Sequence, residues 1–174
     1  MNISGWAEAK PPGHEVTAMA IEHAGEYSEM TGGKLPTPIV LLVDDEPLIR
    51  WSLSEGLTDM GYVVKQAATG AEARQAIAAT QDDPLVVVLD LRLPDVSDLS
   101  LLRDIRSRRP DVPVLMMTAH GTSDDAHQAT RLGVFKFLTK PFDVCALVDL
   151  VGEAWALYSA RWLPGAYSSS TTNR

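Results

Sequence analysis

The sequence predicts an α/β protein, a parallel five-stranded sheet doubly wound with helices on both faces. Between residues 38 and 160, five short aliphatic segments alternate with five stretches of helical period, which is the pattern of repeated βα units. The middle segments are apolar throughout, as a parallel strand covered on both faces requires; Val86, Val87, Val88 and Leu89 are the clearest case. Polar residues follow several of these segments directly, at the strand ends where open parallel sheets bind ligands.

The elements follow in order. "PIVLLV" (38–43), "YVVKQA" (62–67), "LVVVL" (85–89), "VPVLMM" (112–117) and "VFKFL" (134–138) are short and rich in Val, Ile, Leu or Phe, and are expected to be strands. "PLIRWSLSEGLTDM", "GAEARQAIAAT", "DLSLLRDIRSRR" and "SDDAHQATRL" lie between them and are expected to be helices, with "DVCALVDLVGEAWALYSA" as the last. In that last helix Val144, Leu147, Val148, Val151, Ala154 and Leu157 recur at three- and four-residue steps and form one apolar stripe, with Asp143 as its cap. Cys145 falls within this apolar pattern and is expected in the core. Residues 1–36 carry no sustained period and are expected to be a poorly ordered arm; 37–160 form the folded domain; 161–174, opened by Pro164 and Gly165, are expected to be a disordered tail.

Composition narrows the function classes. With 45% hydrophobic and 22% charged residues the chain has the profile of a globular protein. A formal charge of −8 and the lack of a basic stripe argue against a nucleic-acid backbone as the principal partner. A single cysteine allows no intrachain disulfide, the N-terminus lacks a signal-peptide pattern, and no run reaches the roughly 20 apolar residues that span a bilayer. The expected compartment is the cytoplasm. Gly32, Gly33 and Lys34 do not form a phosphate loop, because Ser28 and Leu35 stand where Gly and Ser or Thr are needed.

The chemistry is expected at the strand ends. The first strand runs into Asp44, Asp45 and Glu46, the third into Asp90, the fourth into Thr118, and the fifth into Thr139, Lys140 and Pro141. Two unit charges about 4 Å apart interact by roughly 4 kcal/mol at an effective dielectric near 20, so clustered Asp44, Asp45 and Asp90 would repel strongly. A divalent cation and Lys140 would neutralise them. Magnesium suits an all-carboxylate set, whereas zinc and copper want imidazole or thiolate, and His14, His23, His120 and His127 show no ligand spacing. An aspartate beside a metal and a lysine is the equipment of phosphoryl transfer, with Asp90 as nucleophile giving an acyl phosphate.

"VDDEP", "LDLRLP", "MMTAHG" and "FLTKPF", in this order on these strands, resemble the receiver domain of bacterial two-component response regulators, most of all the nitrogen-regulator class. The resemblance covers about residues 37–158. It implies the flavodoxin-like (βα)5 fold with strand order 2-1-3-4-5. It also implies Asp90 as phosphoacceptor, Mg²⁺ held by Asp45 directly, Asp44 through water, Asp90 and the Arg92 backbone carbonyl, and Thr118 and Lys140 contacting the phosphoryl group. Phe137 corresponds to the switch aromatic, with Thr118 and Pro141 completing the switch set, and Lys140-Pro141 to a cis peptide. Arg92 and His120, two residues beyond Asp90 and Thr118, are expected to slow dephosphorylation by narrowing the approach of water.

Two positions depart from the family pattern. Asp98 stands where Gly is usual, which bears on the shape of the loop after Asp90, and Lys136 stands where an acid is common, which bears on partner choice. Phosphatases of the haloacid-dehalogenase type also use a strand-end aspartate, but need a second acid where Arg92 stands. The expectation is therefore a stand-alone receiver that is no turnover enzyme but catalyses its own phosphorylation and dephosphorylation. Its implied partners are a sensor histidine kinase, a histidine phosphotransfer or output protein, and a second copy in a phosphorylation-dependent homodimer. The alternatives are a receiver fragment of a transcriptional regulator lacking its output domain and a degenerate receiver serving as a structural interaction module.

Overall fold

Each aliphatic run forms a strand: β1 (Ile39–Val43), β2 (Val63–Ala67), β3 (Leu85–Asp90), β4 (Val114–Thr118) and β5 (Lys136–Thr139). The helices between and after them are α1 (Pro47–Asp59), α2 (Gly70–Ala79), α3 (Ser100–Arg108), α4 (Ser123–Arg131) and α5 (Val144–Ser159). The computed structural model describes residues 39–80, 83, 85–96, 98–119 and 123–159. The expected arm over 1–36, the tail over 161–174 and His120 lie outside the described residues.

All five strands are parallel, in the order β2-β1-β3-β4-β5, as expected for a flavodoxin-like sheet. The chain moves outward from β1 to β2 and then crosses back to β3 on the other side of β1, so strand order reverses between β1 and β3. That reversal opens a crevice at their carboxyl ends. Register fixes what lies there: Val43 pairs with Leu89, so Asp44 and Asp90 leave the sheet side by side, and Thr118 pairs with Thr139 just before Lys140.

All six residues of β3 are buried, so both sheet faces are covered; α1 packs on α5 and α2 on α3. Leu41, Leu42, Leu57, Ile77, Leu102 and Leu147 are among the fully buried side chains, each stabilising the fold by about 1.5–3 kcal/mol relative to exposure. No described helix is long and apolar enough to cross a membrane.

The last helix corrects two expectations. Asp143 does cap its start, accepting from the Cys145 amide at 2.8 Å. Cys145, however, is exposed, and Leu157 is 63% exposed, while Leu147, Val151, Ala154, Trp155 and Tyr158 are buried. At 3.6 residues per turn the buried Tyr158, Val151 and Trp155 lie about 20°, 40° and 80° to one side of Leu147, whereas Leu157 lies about 80° to the other, off the buried face. Cys145 sits about 160° from Leu147, on the opposite side of the helix.

Candidate phosphoryl-transfer site

β3 extends one residue beyond its aliphatic run, and that residue is Asp90. Its place in the strand leaves the carboxylate 7% exposed as a residue, at the rim of an otherwise apolar strand. Asp44, directly after β1, is fully buried. Such carboxylates require partners, since an uncompensated buried charge costs several kcal/mol.

Lys140, directly after β5, supplies the partner. Its Nζ donates to Asp44 Oδ2 at 2.7 Å and to Asp90 Oδ2 at 2.5 Å, and lies 3.3 Å from Glu46 Oε1. The remaining oxygens are held by the backbone: the Glu46 amide donates to Asp44 Oδ1 at 2.8 Å, and the Arg92 amide to Asp90 Oδ1 at 3.0 Å. Lys140 is itself positioned by its amide, which donates to the Thr118 carbonyl at 2.8 Å, and is followed by a cis peptide to Pro141. Burial alone would depress the lysine pKa, but hydrogen bonds to Asp44 and Asp90 outweigh it and hold the ammonium above its ordinary value. Burial pushes the Asp44 pKa up, outweighing the hydrogen bonds it accepts from Lys140 and the Glu46 amide.

Asp45 is exposed, and one carboxylate oxygen from each of Asp44, Asp45 and Asp90 falls within 4.8 Å of the others. Among the described residues these three carboxylates form a donor set of hard oxygens, with the Lys140 ammonium against two of them and against Glu46. That set fits a hard divalent cation such as Mg²⁺.

Thr118 ends β4 and is buried; Phe137 in β5 is half-buried. Between them lies a cavity of about 190 Å³ lined by Leu91, Met116, Thr118, Ala119, Asp125 and Phe137. Arg92 and Lys136 are exposed. Asp98 Oδ1 accepts from the Ser100 amide at 2.9 Å, two residues along the chain at the start of the following helix. The structure thus brings Asp44, Asp45, Asp90 and Lys140 together, with Thr118, Phe137 and Arg92 bordering them.

Two groups escaped the sequence reading. Arg50, in the first turn of α1, donates to the Asp44 carbonyl at 2.6 Å and holds the acidic loop. Asp95 accepts two amides from the start of α2. Thr69 and Glu72, spaced as a capping box, were the available signal that this helix start is built for such contacts.

Known proteins resemble this chain in sequence and in fold. The family model of the response regulator receiver domain matches residues 40–152, more than half of the chain. The chain is 39% identical over 126 residues to the DNA-binding transcriptional regulator NtrC of Escherichia coli K12, covering 72% of this chain and 26% of that protein. It is 41% identical over 134 residues to the response regulator protein PilR of Pseudomonas aeruginosa, covering 77% and 29%. The chain spans about a quarter of the length of these curated relatives. Among solved structures, the beryllofluoride-activated NtrC4 receiver domain dimer superposes with a TM-score of 0.64 at 36% identity, covering 70% of this chain and 98% of that one. The signal receiver domain of a putative Luxo repressor protein from Vibrio parahaemolyticus gives 0.68 at 30% identity, covering 73% and 96%. Strand order, the acids at the β1 and β3 ends, and a match to the family model over most of the folded part agree: this chain belongs to the response regulator receiver family of two-component signalling.

Proposed function

We propose that Asp90 accepts a phosphoryl group from a sensor histidine kinase in a Mg²⁺-dependent reaction catalysed by the receiver itself. The observation that supports it most is the Lys140 ammonium bridging Asp44 and Asp90 beside a third carboxylate. One Asp90 oxygen bonds to phosphorus as the bond from phosphorus to the donor imidazole breaks, and the imidazole leaves with the electron pair. Lys140, already within hydrogen-bond reach of Asp90, pairs with a phosphoryl oxygen, and the Thr118 hydroxyl takes another. Asp45, Asp44 through water, Asp90 and the Arg92 carbonyl would hold the ion, which supplies charge neutralisation at the phosphoryl oxygens.

Output follows from packing. Drawing Thr118 toward the phosphoryl group empties space into which Phe137 turns from across the 190 Å³ cavity, altering the face made by α4, β5 and α5. That face, carrying exposed Lys136, would meet a second copy, an output protein or a histidine phosphotransfer protein. Arg92, together with His120, lengthens the life of the acyl phosphate by obstructing water. The match to curated relatives is confined to about a quarter of their length, so the reading transfers phosphorylation and not DNA binding.

The test is labelling with a small phosphodonor and Mg²⁺. One acid-stable, base-labile phosphoryl group per chain is expected, absent from Asp90→Asn. Equal labelling of that variant would overturn the assignment.

A further inference from the structure

We propose that Asp95 is a positioning residue for the metal site: it clamps the loop after β3 onto the start of α2 and so holds the Arg92 backbone in place. The inference rests on the proposed role of the Arg92 carbonyl as a ligand.

The loop is anchored at both ends, with Arg92 between. At its β3 end the Arg92 amide donates to Asp90 Oδ1 at 3.0 Å, and the Leu91 amide to the Met117 carbonyl at 3.0 Å. Immediately after Arg92, Leu93 and Val96 exchange both backbone hydrogen bonds, 2.8 and 3.2 Å, so Pro94 and Asp95 form the tip of a two-residue turn. The tip is where the clamp sits. Asp95 Oδ1 accepts from the Gly70 amide at 2.7 Å and Oδ2 from the Ala71 amide at 2.9 Å.

The helix start it grips is otherwise complete. The Glu72 amide donates to Thr69 Oγ1 at 3.1 Å, the Ala73 amide to the Thr69 carbonyl at 3.0 Å, and the Glu72 carboxylate accepts from the Ala68 amide at 2.7 Å. The two amides left over from the first turn of α2 are the ones Asp95 takes, with its negative charge at the favourable end of the helix dipole. Gly70 makes the approach possible, since a Cβ there would lie 2.6 Å from Val96 Cγ2 and 3.3 Å from Asp95 Oδ1.

Arg92 is exposed, and its backbone is neither in a strand nor in a helix. Released from α2, the turn would sample other arrangements, and apparent metal affinity falls in proportion to the fraction of chains still holding the competent one. No atom of Asp95 needs to touch the ion.

The experiment uses the full chain and Mg²⁺ alone, titrated while amide resonances are followed by NMR. Melting is measured separately in EDTA, and labelling by a small phosphodonor at saturating Mg²⁺. Asp95→Ala is expected to raise the Mg²⁺ Kd roughly tenfold, as loss of a residue that orients a ligand does, with the final extent of labelling unchanged. Asp95→Asn, which keeps one acceptor oxygen, should fall between it and the wild type. It also serves if the alanine variant does not fold. Gly70→Ala should weaken Mg²⁺ from the other side of the same contact, and the double variant should be less than additive. A lower melting temperature with an unchanged Kd assigns Asp95 a merely structural role and overturns the proposal. A wild type that binds Mg²⁺ but is not labelled defeats the phosphoacceptor reading while leaving the clamp to be judged by Kd. A wild type that binds no Mg²⁺ overturns both.

Discussion

Replacing Lys140 with methionine keeps most of the side chain's bulk and removes its charge, leaving Asp44 and Asp90 facing each other. At an effective dielectric of about 20, contacts of 2.7 Å to Asp44 and 2.5 Å to Asp90 correspond to about 6 and about 7 kcal/mol of attraction. The acids, with oxygens within 4.8 Å, repel by at least about 3 kcal/mol on the same scale. The side chains are only 10%, 0% and 9% exposed for Lys140, Asp44 and Asp90, so water screens little, but desolvation offsets most of the attraction. Breaking such a buried pair costs about 3–5 kcal/mol. A loss of about 3 kcal/mol is expected at neutral pH, lowering Tm by roughly 10 °C for a domain of this size. Because Lys140 binds its proton more tightly folded than unfolded, its contribution is fully present below its ordinary value of 10.5 and is lost as pH rises through the higher folded pKa. Magnesium at ten times its Kd adds about 1.4 kcal/mol to the wild type, and should add more to Lys140→Met, where the same acids have no ammonium. Urea unfolding in EDTA and in Mg²⁺ reads both effects. A loss below about 1 kcal/mol, or a smaller Mg²⁺ response in the variant, would refute the charge argument.

Thr118→Ala should accept the phosphoryl group yet lose the phosphorylation-induced change in self-association, measured by sedimentation; an undiminished change would break the link through Phe137. Gly56→Ala places a Cβ 2.5 Å from Val144 Cγ1 and should cost about 1–3 kcal/mol by prying α1 from α5, read as a lower urea midpoint with an unchanged slope. The Asp95 pKa is held below its ordinary 3.8, first by the Gly70 amide and then by that of Ala71. Its contribution is therefore present above pH 3.8 and lost as pH falls through the lower folded value, so the stability gap between wild type and Asp95→Asn should close on acidification. A gap that persists at low pH would show that the clamp does not depend on the carboxylate's charge.

The sheet and its helices were legible because their signals are local. A buried parallel strand such as Leu85–Leu89 declares itself by unbroken aliphatic residues, and a helix by its period, whatever lies across the fold. The strand-end acids were legible for a related reason: a carboxylate directly after a buried strand is costly unless used, which singled out Asp90. Strand order was read through family resemblance, since alternation alone gives a parallel sheet without saying which strand lies beside β1. Periodicity failed at Leu157, because repeated three-residue steps drift off a helix face that only the packing of Trp155 and Tyr158 defines, and Cys145 was placed in the core by its apolar surroundings in sequence although it lies on the opposite side of the helix. The sequence by itself determined which segments are strands and helices and which residue types stand at their ends. Tertiary structure alone decided which of those ends meet. Lys140 lies 96 residues from Asp44 and 50 from Asp90, and Asp95 lies 25 from Gly70, so these contacts exist only once parallel register has set the strand ends side by side. A side chain's composition and period are properties of the chain around it, but its partner is chosen by packing between segments that share no local signal.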